Sequence, residues 1–347
     1  FRSQAGYSQN IGAFNINMGY LAGYYGVNNE NNIHIGYVAG YKSIADNNIF
    51  IGASSGLNNT IGTRNICIGL NTGAGLNGGS EQRGDDNIFL GFDSGRSNQT
   101  GDKNICIGTN TNKVATGTSK NVYIGYNAGS GSVNSNNVFI GSANDATKGV
   151  GYQNTGGQNI FIGADAGTEN TSGINNIFVG YEAGKNNTTG QQNIYIGDHA
   201  GTNASTSTAD NNIAIGTQTG NSNVSGKENI IIGKQAASQC ATDINQNILI
   251  GKEAGKKITV DNLIFIGTNA GVSNTDGTDN IFIGENAGYN NEHCGDNVII
   301  GAHAGYSLAG QGSIGNSIII GSHAGEHTTS GIKNIFIGSN EIGRAHV

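Results

Sequence analysis

An Asn-Ile-x-Ile-Gly-x-x-Ala-Gly motif recurs nineteen times along the chain. Its first Gly falls at Gly19, Gly36, Gly52, Gly69, Gly91, Gly108, Gly125, Gly141, Gly163, Gly180, Gly197, Gly216, Gly233, Gly251, Gly267, Gly284, Gly301, Gly321 and Gly338. Ten of the eighteen spacings are 17 residues, three are 16, and five run from 18 to 22. A fixed period this short restricts the chain to a solenoid or a repeat array. A helical reading fails, because no 3.6-residue period is present and Gly and β-branched residues are poor helix formers.

Each motif position has a physical reason. Three residues before the Gly stands Ile or Val, and one before it an aliphatic residue, Met18 and Leu90 included. Side chains alternate along a strand, so these two share one side and the residue between them faces the other. That middle residue is aromatic at Phe50, Phe89, Tyr123, Phe139, Phe161, Phe178, Tyr195, Phe265, Phe282 and Phe336, with Ile231, Leu249, Ile299 and Ile319 at other steps. The pattern predicts a short strand whose flanking aliphatics point inward and whose aromatics form an outward assembly stripe. The opposite expectation is that the aromatic row faces a second wall of its own coil. After the strand Gly supplies a positive-φ turn. A small residue follows at Ala39, Ala166, Ala183 and Ala304, then a second Gly, replaced by Asn112, Asp145 and Ala237 in three coils.

Asn leads the strand in seventeen of nineteen coils, which predicts a ladder of stacked side-chain amides. Its members are Asn48, Asn65, Asn87, Asn104, Asn159, Asn176, Asn193, Asn212, Asn229, Asn247, Asn280, Asn297 and Asn334. Asn-x-x-Gly recurs in the return segments at Asn59, Asn98, Asn170, Asn187, Asn223 and Asn274, a pairing suited to left-handed turns. The expected fold is an all-β parallel β-solenoid, or β-roll, of about nineteen coils. A rise of about 4.8 Å per coil would make a rod roughly 90 Å long. An exposed apolar stripe of that length marks an interface, here with copies of the same chain.

Composition agrees with a thin core. Only 35% of the 347 residues are hydrophobic, 59 are Gly and none is Pro, which excludes collagen. The formal charge of −7 argues against nucleic-acid binding and anionic membranes. No run of 18 apolar residues is present, so no membrane insertion is expected in this stretch. Residues 1–341 read as one repetitive solenoid fragment, uncapped at both ends. Residues 342–347, Ile-Gly-Arg-Ala-His-Val, resemble read-through of a sequencing adapter, as in a metagenomic fragment, and are set aside.

The repeats resemble the head repeats of YadA-like trimeric autotransporter adhesins. They are also similar to the 17-residue Asn-Thr-Thr-Gly repeats of tail-fibre-type proteins. The stretch Asn176-Ile177-Phe178-Val179-Gly180-Tyr181-Glu182-Ala183-Gly184-Lys185-Asn186-Asn187-Thr188-Thr189-Gly190 carries the likeness. The resemblance implies a left-handed roll, three chains side by side, and an extracellular place on a bacterial cell surface or a virion. It implies a scaffold without catalytic residues, whose partners are its own copies and a surface glycan or host receptor.

Several motifs look chemical. Gly52-Ala53-Ser54-Ser55-Gly56 matches a nucleophile elbow, but the repeat alone explains it. Gly73-Ala74-Gly75-Leu76-Asn77-Gly78 matches a dinucleotide loop and lacks a following helix. No cofactor is expected. His303 and His323 share a slot in successive coils and are the weak metal candidates, near Glu326 and His327. Asp85-Asp86 and Asp276 to Asp279 are Ca²⁺ candidates by their oxygens, without a Ca²⁺-binding nonapeptide repeat. Cys67 and Cys106 lie in the aromatic row two coils apart, about 10 Å, too far for a disulfide. Cys240 and Cys294 fall in return segments. Four long coils, Leu70 to Asp86, Ser142 to Gln158, Asp198 to Asn211 and Ala302 to Asn316, are where loop variation would sit. Tyr24, Tyr25, Tyr41, Tyr289 and Tyr306 follow the second Gly, where they would stack on sugars or shield the coil edge. The expected function is therefore a structural and adhesive fibre segment without catalysis. The alternatives are an ice-binding solenoid, which would need a regular Thr row, and a polysaccharide-acting solenoid enzyme, which would need stacked acids in one groove.

Overall fold

The structure is a computed structural model that describes residues 4–75, 83–114, 116–142, 148–202, 207–240, 243–307, 315–328 and 332–340. It is all-β, with nineteen parallel strands of three residues each and no helix among the described residues. The chain divides into two units, Phe1–Asn175 and Asn176–Val347. The first stacks β1 (Ile16–Met18) to β9 (Ile160–Ile162), and the second β10 (Ile177–Val179) to β19 (Ile335–Ile337). Within each unit every strand pairs with the next in the same register, so that Ile49, Phe50 and Ile51 stand beside Ile66, Cys67 and Ile68. Equivalent residues therefore form columns, which is the β-solenoid the repeat predicts.

The direction of the strand faces differs from the expectation. The middle residue of each interior strand is buried, and the two flanking aliphatics point out. Phe50, Tyr123, Phe139, Phe161, Phe178, Phe265 and Phe282 are fully buried, and Phe89 and Tyr195 nearly so. Phe336, in the last described strand, is half-buried. The assembly-stripe assignment of these ten residues to the surface is thus corrected: they are the core, facing the return wall of their own coil. The rings stack along the column, with Phe139–Phe161 centroids 4.9 Å apart and Phe265–Phe282 4.6 Å apart. One ring spans the narrow interior, whereas two large side chains per coil would not fit between walls this close.

Two features close so small a coil. The first is a set of left-handed corners, shown in the third coil by Asn47, Ser54 and Gly56 at φ 61°, 57° and 57°. The second is the stacking of the strand-ending glycines. A Cβ on Gly52, at φ +127°, would lie 2.4 Å from the carbonyl oxygen of Gly69. That slot excludes a side chain both by conformation and by space.

The Asn ladder is present and buried. The Oδ1 of Asn48 accepts the backbone N–H of Asn65 at 2.9 Å, and Asn65 repeats the bond to Asn87 at 3.0 Å. The Nδ2 of Asn48 crosses the coil to the carbonyl of Gly62, and Asn65 does the same to Gly84. Asn87, Asn104 and Asn159 keep the crossing bond in the first unit. Asn176, Asn193, Asn212, Asn229, Asn247 and Asn280 keep it in the second, and the Nδ2 of Asn297 donates to the carbonyl of Cys294, three residues before it. The backbone N–H of Leu263 donates to Asn247 Oδ1, but the Leu263 side chain has no oxygen to accept from the next coil. Ser317 substitutes with its hydroxyl and accepts from the N–H of Asn334. The return-segment Asn supplies a second amide on the same carbonyls, as Asn59 does at Gly62 and Asn98 at Gly101. Much of the interior is thus polar and built around these amides, which accounts for a folded chain with so few hydrophobic residues.

Candidate functional site

Because the aromatics are inside, the outer face of the sheet is built by their neighbours. Two columns of aliphatic residues flank the buried middle column through both units. Even inside the stacks Ile68 is 39% exposed, Ile160 36%, Ile196 37% and Ile230 36%. The glycine column beside them adds no side chain, so nothing polar from the strand covers this face. Alternation alone gave the pair and missed which side faced in, because both sides of the strand are apolar. A readable signal was the second Gly. Its replacements Asn112 and Ala237 sit in the coils whose middle residues are Cys106 and Ile231, not rings. Asp145 lies outside the described residues, and Gly151 stands against Phe139 instead, where a Cβ would meet the ring at 2.3 Å.

His303 and His323 do come together. Their rings stack with centroids 4.9 Å apart and planes 2° apart. Parallel rings aim their nitrogens side by side, whereas shared metal binding needs lone pairs that converge on one point. The Nδ1 of His323 is also 2.7 Å from a Glu326 oxygen, which holds the Glu326 carboxyl below its usual range. Among the described residues no group of three or more His, Cys, Asp or Glu side chains converges as a metal site. Asp86 is held by Arg64 through both carboxylate oxygens, at 2.5 and 3.0 Å, and Asp85 accepts the N–H of Thr63 at 2.7 Å. Asp276 meets the Nδ1 of His293 at 2.8 Å. These oxygens are bonded to protein groups and do not gather around a common centre.

Ser54 occupies a left-handed corner, and Ser55 is buried with its hydroxyl donating to the carbonyl of Cys67. Leu76 to Gly78 of the glycine-rich match lie outside the described residues, as do residues 143–147, 203–206 and 308–314 of the other long coils. Cys67, Cys106, Cys240 and Cys294 are buried, and desolvation pushes the Cys67, Cys106 and Cys240 thiols up, Cys240 to about 12. In the return segments the Thr155 hydroxyl donates to the carbonyl of Thr171, and that of Thr275 to the carbonyl of Glu292.

The tyrosines form two groups. Tyr24 and Tyr41 stack at 5.5 Å with Tyr25 against both, and Tyr289 and Tyr306 stack at 5.0 Å. Tyr7, not singled out by the motif, stacks on Tyr24, and Tyr20 and Tyr37 stack on each other in a column of their own. No helix of the described residues is long and apolar enough to cross a membrane. No family model, curated protein or solved structure matches the chain.

Proposed function

We propose that this chain is a structural and adhesive fibre segment that works extracellularly, on a cell surface or virion, as a side-by-side homotrimer without catalysis. The observation that carries the reading is the pair of outward aliphatic columns in each unit, which no polar residue interrupts. Full burial of an Ile is worth about 1.5–3 kcal/mol. Most of the twenty outward positions of the second unit are already two-thirds buried or more, so covering each gains up to about a third of that, on the order of 10 kcal/mol together. Association costs about 4–15 kcal/mol. A face of many coils therefore crosses the threshold for assembly and a face of a few does not, which suits a long fibre and not a small module. The likeness of the repeats to trimeric adhesin heads and tail fibres supports three copies over two.

Sedimentation of the chain tests the reading. A mass three times that of the chain is expected. A pair of outward changes in mid-stack, Ile105→Lys and Ile107→Lys, should lower that mass while the far-ultraviolet dichroism persists. A folded wild-type monomer at micromolar concentration would overturn the assembly.

A further inference from the structure

We propose that the tyrosines of the first three coils form a docking surface for an extended, uncharged polysaccharide lying along the stack. The proposal rests on the adhesive reading above and names the ligand class it would serve.

Tyr7, Tyr24 and Tyr41 hold the same position in successive coils, with nearly parallel rings 5.2 and 5.5 Å apart. Tyr20 and Tyr37 form a second column directly after the strand-ending Gly, 5.5 Å apart. Tyr25 packs against both Tyr24 and Tyr41, its plane 83° and 77° from theirs. The Tyr25 phenol beside it raises the Tyr41 hydroxyl above its ordinary range. Tyr7, Tyr20, Tyr25 and Tyr37 are 46–67% exposed. From residue 4 to residue 41 the only Asp, Glu, Lys or Arg is Glu30.

The coil does not need rings at these positions to close. The slot of Tyr24 and Tyr41 is Arg96, Ser130 and Lys185 in other coils, and the slot of Tyr20 and Tyr37 is Thr109, Asp198 and Lys234. Six tyrosines gathered in three coils are therefore a property of the surface and not of the fold. A phenol offers an apolar body with a polar tip, which matches a pyranose with its C–H face and hydroxyl rim. The coil repeat brings a like set of edges and hydroxyls forward at a spacing close to the length of one sugar unit. A polymer parallel to the stack thus meets the same chemistry at successive units. The near-absence of charge here, within a chain of net charge −7, favours a neutral polymer over a polyanion.

The test is retention of the full chain on insoluble cellulose and chitin, and retardation in gels containing soluble mannan, with alginate as the anionic comparison. At least one neutral polymer should bind. The variant Tyr20→Ala/Tyr25→Ala/Tyr37→Ala should bind at least tenfold more weakly, while Tyr289→Ala/Tyr306→Ala is unchanged. Dichroism and sedimentation mass must match wild type in both variants. Failure of every neutral polymer, binding by alginate alone, or undiminished binding by the triple variant each overturns the proposal. A wild-type trimer that no polymer retains sinks the docking surface and leaves the fibre; a polymer-binding monomer sinks the trimer and leaves the surface.

Discussion

The Cβ that Gly56 lacks would stand 2.5 Å from the ring of Phe50. The core aromatic and the second glycine of each motif are thus two halves of one packing unit: the ring occupies the space that the glycine leaves empty. Where the core residue is Ala214, a Cβ on Gly220 would find its nearest neighbour at an ordinary 3.4 Å. The two glycines have the same left-handed backbone, φ +57° and +61°, and differ only in what lies beneath them.

That pair makes a direct comparison. Gly220→Ala should cost about 1–2 kcal/mol, the backbone penalty alone. Gly56→Ala should cost about 1–3 kcal/mol more, the usual range for overpacking. Phe50→Ala added to Gly56→Ala should recover the overpacking part, giving a non-additive double-mutant cycle in denaturant unfolding. Equal costs at the two glycines would refute the packing unit.

The Asn ladder predicts a second series. Asn104 accepts the N–H of Asn121 and donates to the carbonyl of Thr118, both in the interior. Replacing it with Ala leaves both without a partner, at about 1–3 kcal/mol for each unsatisfied group. Repeat arrays lose strict two-state behaviour, so amide exchange is the better readout. Protection should fall most in the coils on either side of residue 104, and a uniform fall along the chain would contradict a local ladder.

His34 gives a pH dependence. It occupies the core column, fully buried, with Nδ1 2.8 Å from Asn17 Oδ1 and its ring stacked on Phe50. Burial pushes its imidazole from 6.5 down to about 4. The unfolded chain therefore binds a proton between those values that the folded chain refuses. Stability from this group is complete above pH 6.5, declines as pH falls toward 4, and is level below that, a loss of about 3 kcal/mol in all. Exchange of the first coils should accelerate in that window, and His34→Phe should remove the acceleration. An unchanged profile in His34→Phe would assign it elsewhere.

Thiol chemistry reports the inverted strand face. Cys67 and Cys106 lie in the buried column with pKa values raised by desolvation, so the nucleophilic thiolate is scarce and shielded. An aromatic disulfide reagent at pH 8 should leave both unmodified in the folded chain and react with both in denaturant. Rapid labelling of either in the folded chain would mean that the middle column faces out.

The sequence itself determined the coil count, the parallel register, the strand positions and the amide ladder. Each follows from a period, and a period survives translation into columns whatever the packing. The outward placement of the aromatics failed because alternation is relative: Ile49 and Ile51 share one side and Phe50 takes the other, but nothing in their order says which side is inside. Only tertiary structure decided that, through the width of a 17-residue coil. It admits one ring per turn above a glycine, which sends the paired aliphatics to the surface. The same step turned the His303–His323 coincidence into a face-to-face stack and set Tyr7 on Tyr24 and Tyr20 on Tyr37. Spacing in the chain sets which residues share a column, whereas ring orientation and the neighbouring column depend on how each corner closes.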